Sequence, residues 1–240
     1  MSTGDAVPVL ALHCLLASGA AWRPLAARLA RPLVRVDLPG HGAAPDAAGD
    51  LMAQSVAHAL AHAPEGPIDF VGHSFGACVA LRIMADHPGR IRRAVLVEPV
   101  LFAAAPEPER GLGHDPDAVH AALARGDRAG ALRSFHGDWG GGPLNAMPAA
   151  SRAYMEARMP LFAATVPALL HDDGAVLARL PDRPVALVRG DCSPAVMKHI
   201  LDGLAARMPR AETQVIEGAG HMIPFTHPEA LGQVVERTLG

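Results

Sequence analysis

The sequence predicts an α/β fold in which helices cover a mostly parallel β-sheet. Half of the 240 residues are hydrophobic and 19% are charged, which is typical of an ordinary globular protein. Short runs rich in Val, Ile and Leu alternate with longer helical patterns, as in sheets whose strands are buried on both faces. About six strands are therefore expected, at Val7–Leu12, Leu33–Val36, Ile68–Val71, Ala94–Val97, Val185–Val188 and Thr213–Ile216.

Apolar residues at helical spacing predict helices between these runs and after the last one. The first of these helices carries Trp22, Leu25 and Leu29 on one side. Ser193 followed by Pro194 is interpreted as an N-cap with proline at the first helical position. The other helices are expected at Leu51–Ala63, at Phe75–His87, along the pattern Val196, Ile200, Leu204 and Met208, and from Pro228 onward.

The interval from Phe102 to Leu180 breaks the alternation, because it contains helical patterns but no convincing strand. A structureless loop of this length is implausible inside a compact domain. We therefore interpret residues 102–180 as a mobile helical insertion over the sheet, with residues 1–101 and 181–240 forming the core. The aromatic residues of the insertion can line an acyl pocket, but most of them are expected to pack the insertion against the core. They are Phe135, Trp139, Tyr154 and Phe162.

Charge and cysteine content narrow the class of protein. The net charge of −3 argues against a nucleic-acid binder, which needs clustered Lys and Arg. Three cysteines are too few, and odd in number, for a disulfide framework, and they suit a reducing compartment. No signal peptide is evident, and the longest uncharged stretch, Val7 to Trp22, is interrupted by polar residues. We therefore expect a cytoplasmic protein with no membrane partner.

The segment Gly72–Gly76 reads G-H-S-F-G and lies between the strand Ile68–Val71 and the helix that begins at Phe75. G-x-S-x-G in this context is the signature of a nucleophile elbow, a sharp turn that exposes a serine at the top of a sheet. The flanking glycines are needed because side chains there would crowd neighbouring backbone. Ser74 is therefore the candidate nucleophile.

A serine attacks a carbonyl only when a base removes its proton. His221 follows the last strand, and loops at the carboxyl ends of parallel strands meet in one crevice. This places His221 on the same side of the sheet as Ser74, and we predict that it is the base. His73 is too close to Ser74 in sequence for its ring to face the hydroxyl, and His13 and His41 fit better as loop residues.

At this point the chain resembles the α/β-hydrolase superfamily, over most of its length outside the insertion. The elbow and the loop before His221 are the specific matches. The resemblance is carried by Leu12-His13, Val36 to Gly42, the elbow at Ser74, Gly218 to His221, and His227 to Leu231.

The resemblance implies that the insertion is the helical cap of this fold. It also implies that the two N-terminal antiparallel strands common in the fold are missing. By position, the backbone N–H groups of Leu15 and Phe75 would form the oxyanion hole. This sequence has Cys14 where the superfamily usually has glycine, so the loop can differ there. Cys14 as a rival nucleophile is disfavoured, because it lacks the elbow.

The acid that orients His221 has two candidates. Glu98 follows the strand Ala94–Val97, next to the elbow, and a buried carboxylate there needs a partner. Asp191 is the alternative acid, two residues short of the position the superfamily usually uses, where Ser193 stands. We favour Glu98. Chain order cannot decide, because both candidates lie between Ser74 and His221.

The predicted function is that of a serine hydrolase acting on a small or medium, fairly apolar carboxylic ester. Thioester, lactone and carbon–carbon bond hydrolysis stay open. The alternative is a non-catalytic ligand-binding protein on the same scaffold, favoured by Cys14 and Ser193. No cofactor is expected, and His58 and His62 lack the further residues of a zinc site. The expected partner is a small acyl substrate, and a homodimer stays open.

Overall fold

The computed structural model describes residues 7–240 and contains one six-stranded sheet in this part of the chain. Every neighbouring pair of strands is parallel, in the order β2-β1-β3-β4-β5-β6. The predicted α/β class and strand number are therefore confirmed. The strands are β1 (Val9–Leu12), β2 (Leu33–Val36), β3 (Ile68–His73), β4 (Ile91–Val97), β5 (Val185–Gly190) and β6 (Ala211–Ile216).

Helices follow or connect the strands, as the apolar spacing predicts. Short 3₁₀ turns lie at Gly19–Trp22, Phe102–Ala104, Glu107–Glu109 and Leu144–Ala146. The α-helices are α1 (Arg23–Ala26), α2 (Leu51–His62), α3 (Phe75–Asp86), α4 (Pro116–Ala124), α5 (Arg128–Trp139), α6 (Ala149–Arg158), α7 (Leu161–Leu170), α8 (Val196–Ala205), α9 (Ile223–Thr226) and α10 (Pro228–Leu239).

The central strands are buried on both faces, which explains their continuous apolar runs. Successive residues of β1 point to opposite sides of the sheet. Leu10 and Leu12 belong to the larger apolar core, whereas Val9 and Ala11 belong to the second core on the other face. The edge strands β2 and β6 are only partly buried, and their sequences are correspondingly more polar.

The chain between β4 and β5 is helical throughout its regular parts and includes α4 to α7. This agrees with the predicted helical character of residues 102–180, while their mobility stays a prediction. Helix α7 packs against α2 of the core. No helix within residues 7–240 is long and apolar enough to span a bilayer.

Two predicted helices have wrong boundaries. Helix α1 covers only Arg23–Ala26, so Trp22 and Leu29 lie outside it. Helix α8 begins at Val196 rather than at Pro194, and Ala195 takes the N-cap position without a side-chain cap. The Ser193 hydroxyl instead donates a hydrogen bond to Glu98, which competes with any capping role. The sequence patterns do not predict the short helix α9, which begins two residues after His221.

Candidate active site

The turn between β3 and α3 holds Ser74 in a conformation that is rare for a residue with a side chain, with φ of 55°. Its N–H donates to the Val97 carbonyl at 2.9 Å, which ties the turn to the end of β4. A Cβ at Gly76 would collide with the Leu12 carbonyl, and a Cβ at Gly72 would lie 2.8 Å from the backbone nitrogen of Ala77. The motif therefore needs both glycines for steric reasons.

His221 lies in the loop after β6, and its side chain is buried against two rings. Trp139 from the insertion approaches it with ring centroids 4.8 Å apart, and His73 approaches from the core at 4.9 Å. The His73 ring donates from Nε2 to the His221 carbonyl at 2.9 Å. His73 thus holds the backbone of the loop. Burial, followed by the nearby His221, puts the pKa of His73 well below its ordinary value, so its ring stays neutral.

Glu98 directly follows β4 and is fully buried, with φ of 51°. Its Oε2 lies 3.0 Å from His221 Nδ1. Its Oε1 accepts hydrogen bonds from the Gly190 N–H and the Ser193 hydroxyl, both at 2.7 Å. These donors replace the hydration that a carboxylate loses on burial.

The hydrogen bond to Glu98 determines the tautomer of the His221 ring. A ring that donates from Nδ1 to a carboxylate keeps the lone pair of its other nitrogen, Nε2. This is the tautomer that a general base requires. Asp191 is exposed and makes no hydrogen bond to His221 in the described part of the chain. The structure thus brings Glu98, rather than Asp191, to the histidine.

Ser74 and His221 line one cavity of about 860 Å³ between the core and the insertion. No hydrogen bond joins the two side chains within residues 7–240, and such contacts are often long before a substrate binds. Leu15 also lines the cavity, whereas Phe75 begins α3, where backbone N–H groups have no partner inside the helix. Their assignment as oxyanion donors stays a prediction.

The cavity wall is largely apolar, and no Lys, Arg, Asp or Glu side chain belongs to it within residues 7–240. Phe135, Trp139 and Tyr154 line it, which is the pocket-lining alternative rather than the favoured role of packing alone. Trp139 does both, because its ring also packs on His221 of the core. Phe162 does not line it and packs against Phe135, at 5.8 Å between ring centroids. The sequence lacked a signal for this difference, because it depends on how the insertion docks.

Cys14 lies at the cavity and is almost fully buried. Burial raises the pKa of its thiol to about 12. Since the thiolate is the reactive form of cysteine, this thiol is unreactive at neutral pH. The observation agrees with the expectation that Cys14 is not the nucleophile.

Two buried histidines connect the loops after β1 and β2. His13 donates from Nδ1 to the Cys14 carbonyl at 2.7 Å and accepts from the Leu38 N–H at Nε2, at 2.9 Å. His41 accepts from the Leu16 N–H at 3.1 Å. Burial lowers the pKa of His13 to about 3 and also lowers that of His41. Both rings therefore stay neutral and hold these loops together, in agreement with their predicted loop roles.

The comparison with protein families settles the class of this chain. The sequence model of the family described as "Alpha/beta hydrolase family" matches residues 9–234 of this chain. Because this match covers most of the chain, the protein belongs to the α/β-hydrolase family, and the resemblance found in the motifs is confirmed.

Individual relatives agree with this class. A pimeloyl-[acyl-carrier protein] methyl ester esterase from Aromatoleum aromaticum is 30% identical over 216 residues, which cover 83% of this chain and 84% of that enzyme. Lipase LipV from Mycobacterium tuberculosis is 33% identical over 128 residues, or 50% of this chain and 49% of the lipase. The aligned part thus spans about half the length of that lipase. An α/β hydrolase from Sphaerobacter thermophilus superimposes with a TM-score of 0.76 at 26% identity, over 99% of this chain and 94% of the other.

Proposed function

We propose that this protein hydrolyses small or medium-sized, uncharged carboxylic esters through an acyl-enzyme on Ser74. One observation carries the proposal: His221 is hydrogen-bonded to Glu98 and lines the same cavity as Ser74. The predicted enzyme class, a carboxylic ester hydrolase of the α/β fold, is supported by relatives that are named esterase and lipase.

The proposed reaction begins when Ser74 Oγ attacks the ester carbonyl while His221 Nε2 accepts the hydroxyl proton. Glu98 stabilises the charged imidazolium ring, and the N–H groups of Leu15 and Phe75 stabilise the negative oxygen of the intermediate. The intermediate collapses and the alcohol leaves with the proton from His221. Water then attacks the acyl carbonyl while His221 Nε2 accepts one of its protons. The second intermediate collapses, His221 returns that proton to Ser74 Oγ as the ester bond breaks, and the carboxylic acid leaves.

The cavity supports the proposed substrate class. A volume of about 860 Å³ falls in the usual range for small-molecule sites. A charged substrate would lose its hydration in this cavity without gaining an ion pair, because no wall residue within residues 7–240 is a Lys, Arg, Asp or Glu. We therefore propose a small acyl compound as the partner.

The sparse free cysteines support cytoplasmic localisation.

The alternative of a non-catalytic ligand-binding protein rests on Cys14 and Ser193. It is weakened by the hydrogen bond that Ser193 donates to Glu98, because that bond gives Ser193 a place within the proposed machinery. A fluorophosphonate probe separates the two functions. The proposal expects labelling of the wild type and none of the Ser74→Ala variant, whereas a ligand-binding protein would leave both unlabelled.

Substrate preference is tested with 4-nitrophenyl esters of graded chain length. We expect turnover of neutral acyl chains and a strong drop for a chain of equal length that ends in a carboxylate. Equal rates for the neutral and charged esters would contradict the proposed substrate class.

A further inference from the structure

Tyr154 connects the helical insertion to both loops that hold the front of the site. It lies on α6, and its hydroxyl donates to the Ala17 carbonyl at 2.9 Å. The same hydroxyl accepts from the Gly42 N–H at 2.8 Å. Ala17 belongs to the loop after β1, and Gly42 belongs to the loop after β2. One phenol group on the insertion thus bridges two core loops.

Arg158, one turn later on α6, fixes the tyrosine ring in place. Its guanidinium carbon lies 3.6 Å from the centre of the Tyr154 ring, a cation–π contact. Its Nε donates to the Gly40 carbonyl at 2.9 Å, in the loop that also contains Gly42. The ring therefore has little freedom to move while α6 stays docked.

The loop after β1, which contains Ala17, is held in place by hydrogen bonds from other segments of the chain. Leu16 has φ of 64°, which is unfavourable for a residue with a side chain. His41 holds the Leu16 N–H on one side, and Tyr154 holds the Ala17 carbonyl on the other. Leu15, the proposed oxyanion donor, directly precedes these two fixed residues.

We infer that Tyr154 is a positioning residue, which sets the direction of the Leu15 N–H through its hydrogen bond to Ala17. The inference rests on the proposed function, because it assigns Tyr154 a part in stabilising the oxyanion. It also couples the insertion to the chemistry, since the bond forms only when α6 is docked on the core. Tyr154 lines the cavity as well, so a bound substrate lies beside this bond.

The test is the Tyr154→Phe variant, which keeps the ring and its stacking with Arg158 but loses the hydroxyl. We expect kcat to fall about tenfold, because the hydrogen bonds of the hydroxyl to Ala17 and from Gly42 are both lost, while KM changes less than twofold. A trifluoromethyl ketone, which adds to the serine and forms an oxyanion, should bind about tenfold more weakly. The matching methyl ketone, which stays a ground-state ligand, should bind as it does to the wild type.

The control variant is Arg152→Gln on the same helix. Among residues 7–240, Arg152 donates only to carbonyls of the insertion itself, those of Met147 and Asn145. It should leave kcat and the binding of both ketones unchanged. If Tyr154→Phe leaves kcat unchanged, or weakens both ketones equally, the positioning role is wrong. If the wild type shows no esterase activity that depends on Ser74, the proposed function fails, and this inference fails with it.

Discussion

The Glu98 carboxylate accepts hydrogen bonds from three groups: the Gly190 N–H, the Ser193 hydroxyl and the His221 ring. Each of these contacts spans more than ninety residues of sequence, as does the bond from Tyr154 to Ala17. These hydrogen bonds therefore form only when the folded sheet brings distant segments of the chain together. The position of Glu98 after β4 nevertheless suggested its role, because a carboxylate between Val97 and Pro99 needed a partner.

The Glu98→Gln variant tests the assignment of the acid. An amide at this position keeps the shape but presents the wrong donor and acceptor pattern to His221, so the ring takes the wrong tautomer. We expect kcat to fall by a factor on the order of 10²–10⁴. The matched control is Asp191→Asn, which should cost much less because Asp191 is exposed. A severe loss in Asp191→Asn with a mild loss in Glu98→Gln would reverse the assignment.

Ser193 should matter to the rate through Glu98. Ser193→Ala removes one of the two donors to Oε1, and the carboxylate can then turn away from His221. We expect kcat to fall about tenfold at little change in KM. Ser193→Thr keeps a hydroxyl and should recover most of the rate. Equal losses in both variants would show that the hydroxyl is not the cause.

The sequence predicted Ser74, His221 and Glu98 because each follows a strand at the same edge of a parallel sheet. The prediction of Ser193 as an N-cap is wrong, because local sequence favours capping and only the folded loop brings Glu98 within reach of its hydroxyl. For Tyr154 the sequence leaves both packing and pocket lining open, because its contacts depend on how the insertion docks. Side-chain contacts between distant segments are thus the part that sequence patterns did not predict.

At the scale of elements, the strands and most helix ends followed from apolar spacing, proline and glycine. The strands of the central sheet are short and apolar, which makes them easy to recognise. The insertion is recognised by the lack of such strands, and its four α-helices, α4 to α7, agree with the helical character predicted for it. Its bounds at residues 102 and 180 and its mobility stay predictions.

Limited proteolysis tests the mobility of the insertion. The first cuts are expected near Gly140–Gly142, in the connection after α5, where Gly141 and Gly142 are exposed. Few buried contacts hold such a segment, so local opening costs little free energy. The cleavage sites are read by mass spectrometry of the first fragments. First cuts within Leu33–Val97 would contradict a mobile insertion on a stable core.

At the scale of the whole molecule, three buried neutral histidines make stability depend on pH. The pKa of His13 is lowered to about 3, and those of His41 and His73 are also lowered, mainly by burial. Between pH 6.5 and about 3, the unfolded chain binds a proton at His13 that the folded chain excludes. The free energy of unfolding therefore falls as the pH drops through this window.

Urea unfolding at pH 7 and at pH 5 measures this effect. His13 alone should lower the free energy of unfolding by about 2 kcal/mol between these values, at ~1.4 kcal/mol per pH unit below pH 6.5. His41 and His73 should act in the same direction. An equal or higher free energy of unfolding at pH 5 would mean that these rings are not kept neutral by the fold.

The central claim is that catalysis proceeds through an ester bond to Ser74. It is tested most directly by mixing the protein with a 4-nitrophenyl ester, quenching with acid within milliseconds, and locating the added acyl mass by peptide mass spectrometry. We predict one acyl group on the peptide that contains Ser74, together with a burst of 4-nitrophenol, and neither signal in Ser74→Ala. Turnover by the wild type with no adduct, or an adduct on Cys14 instead, would contradict the account.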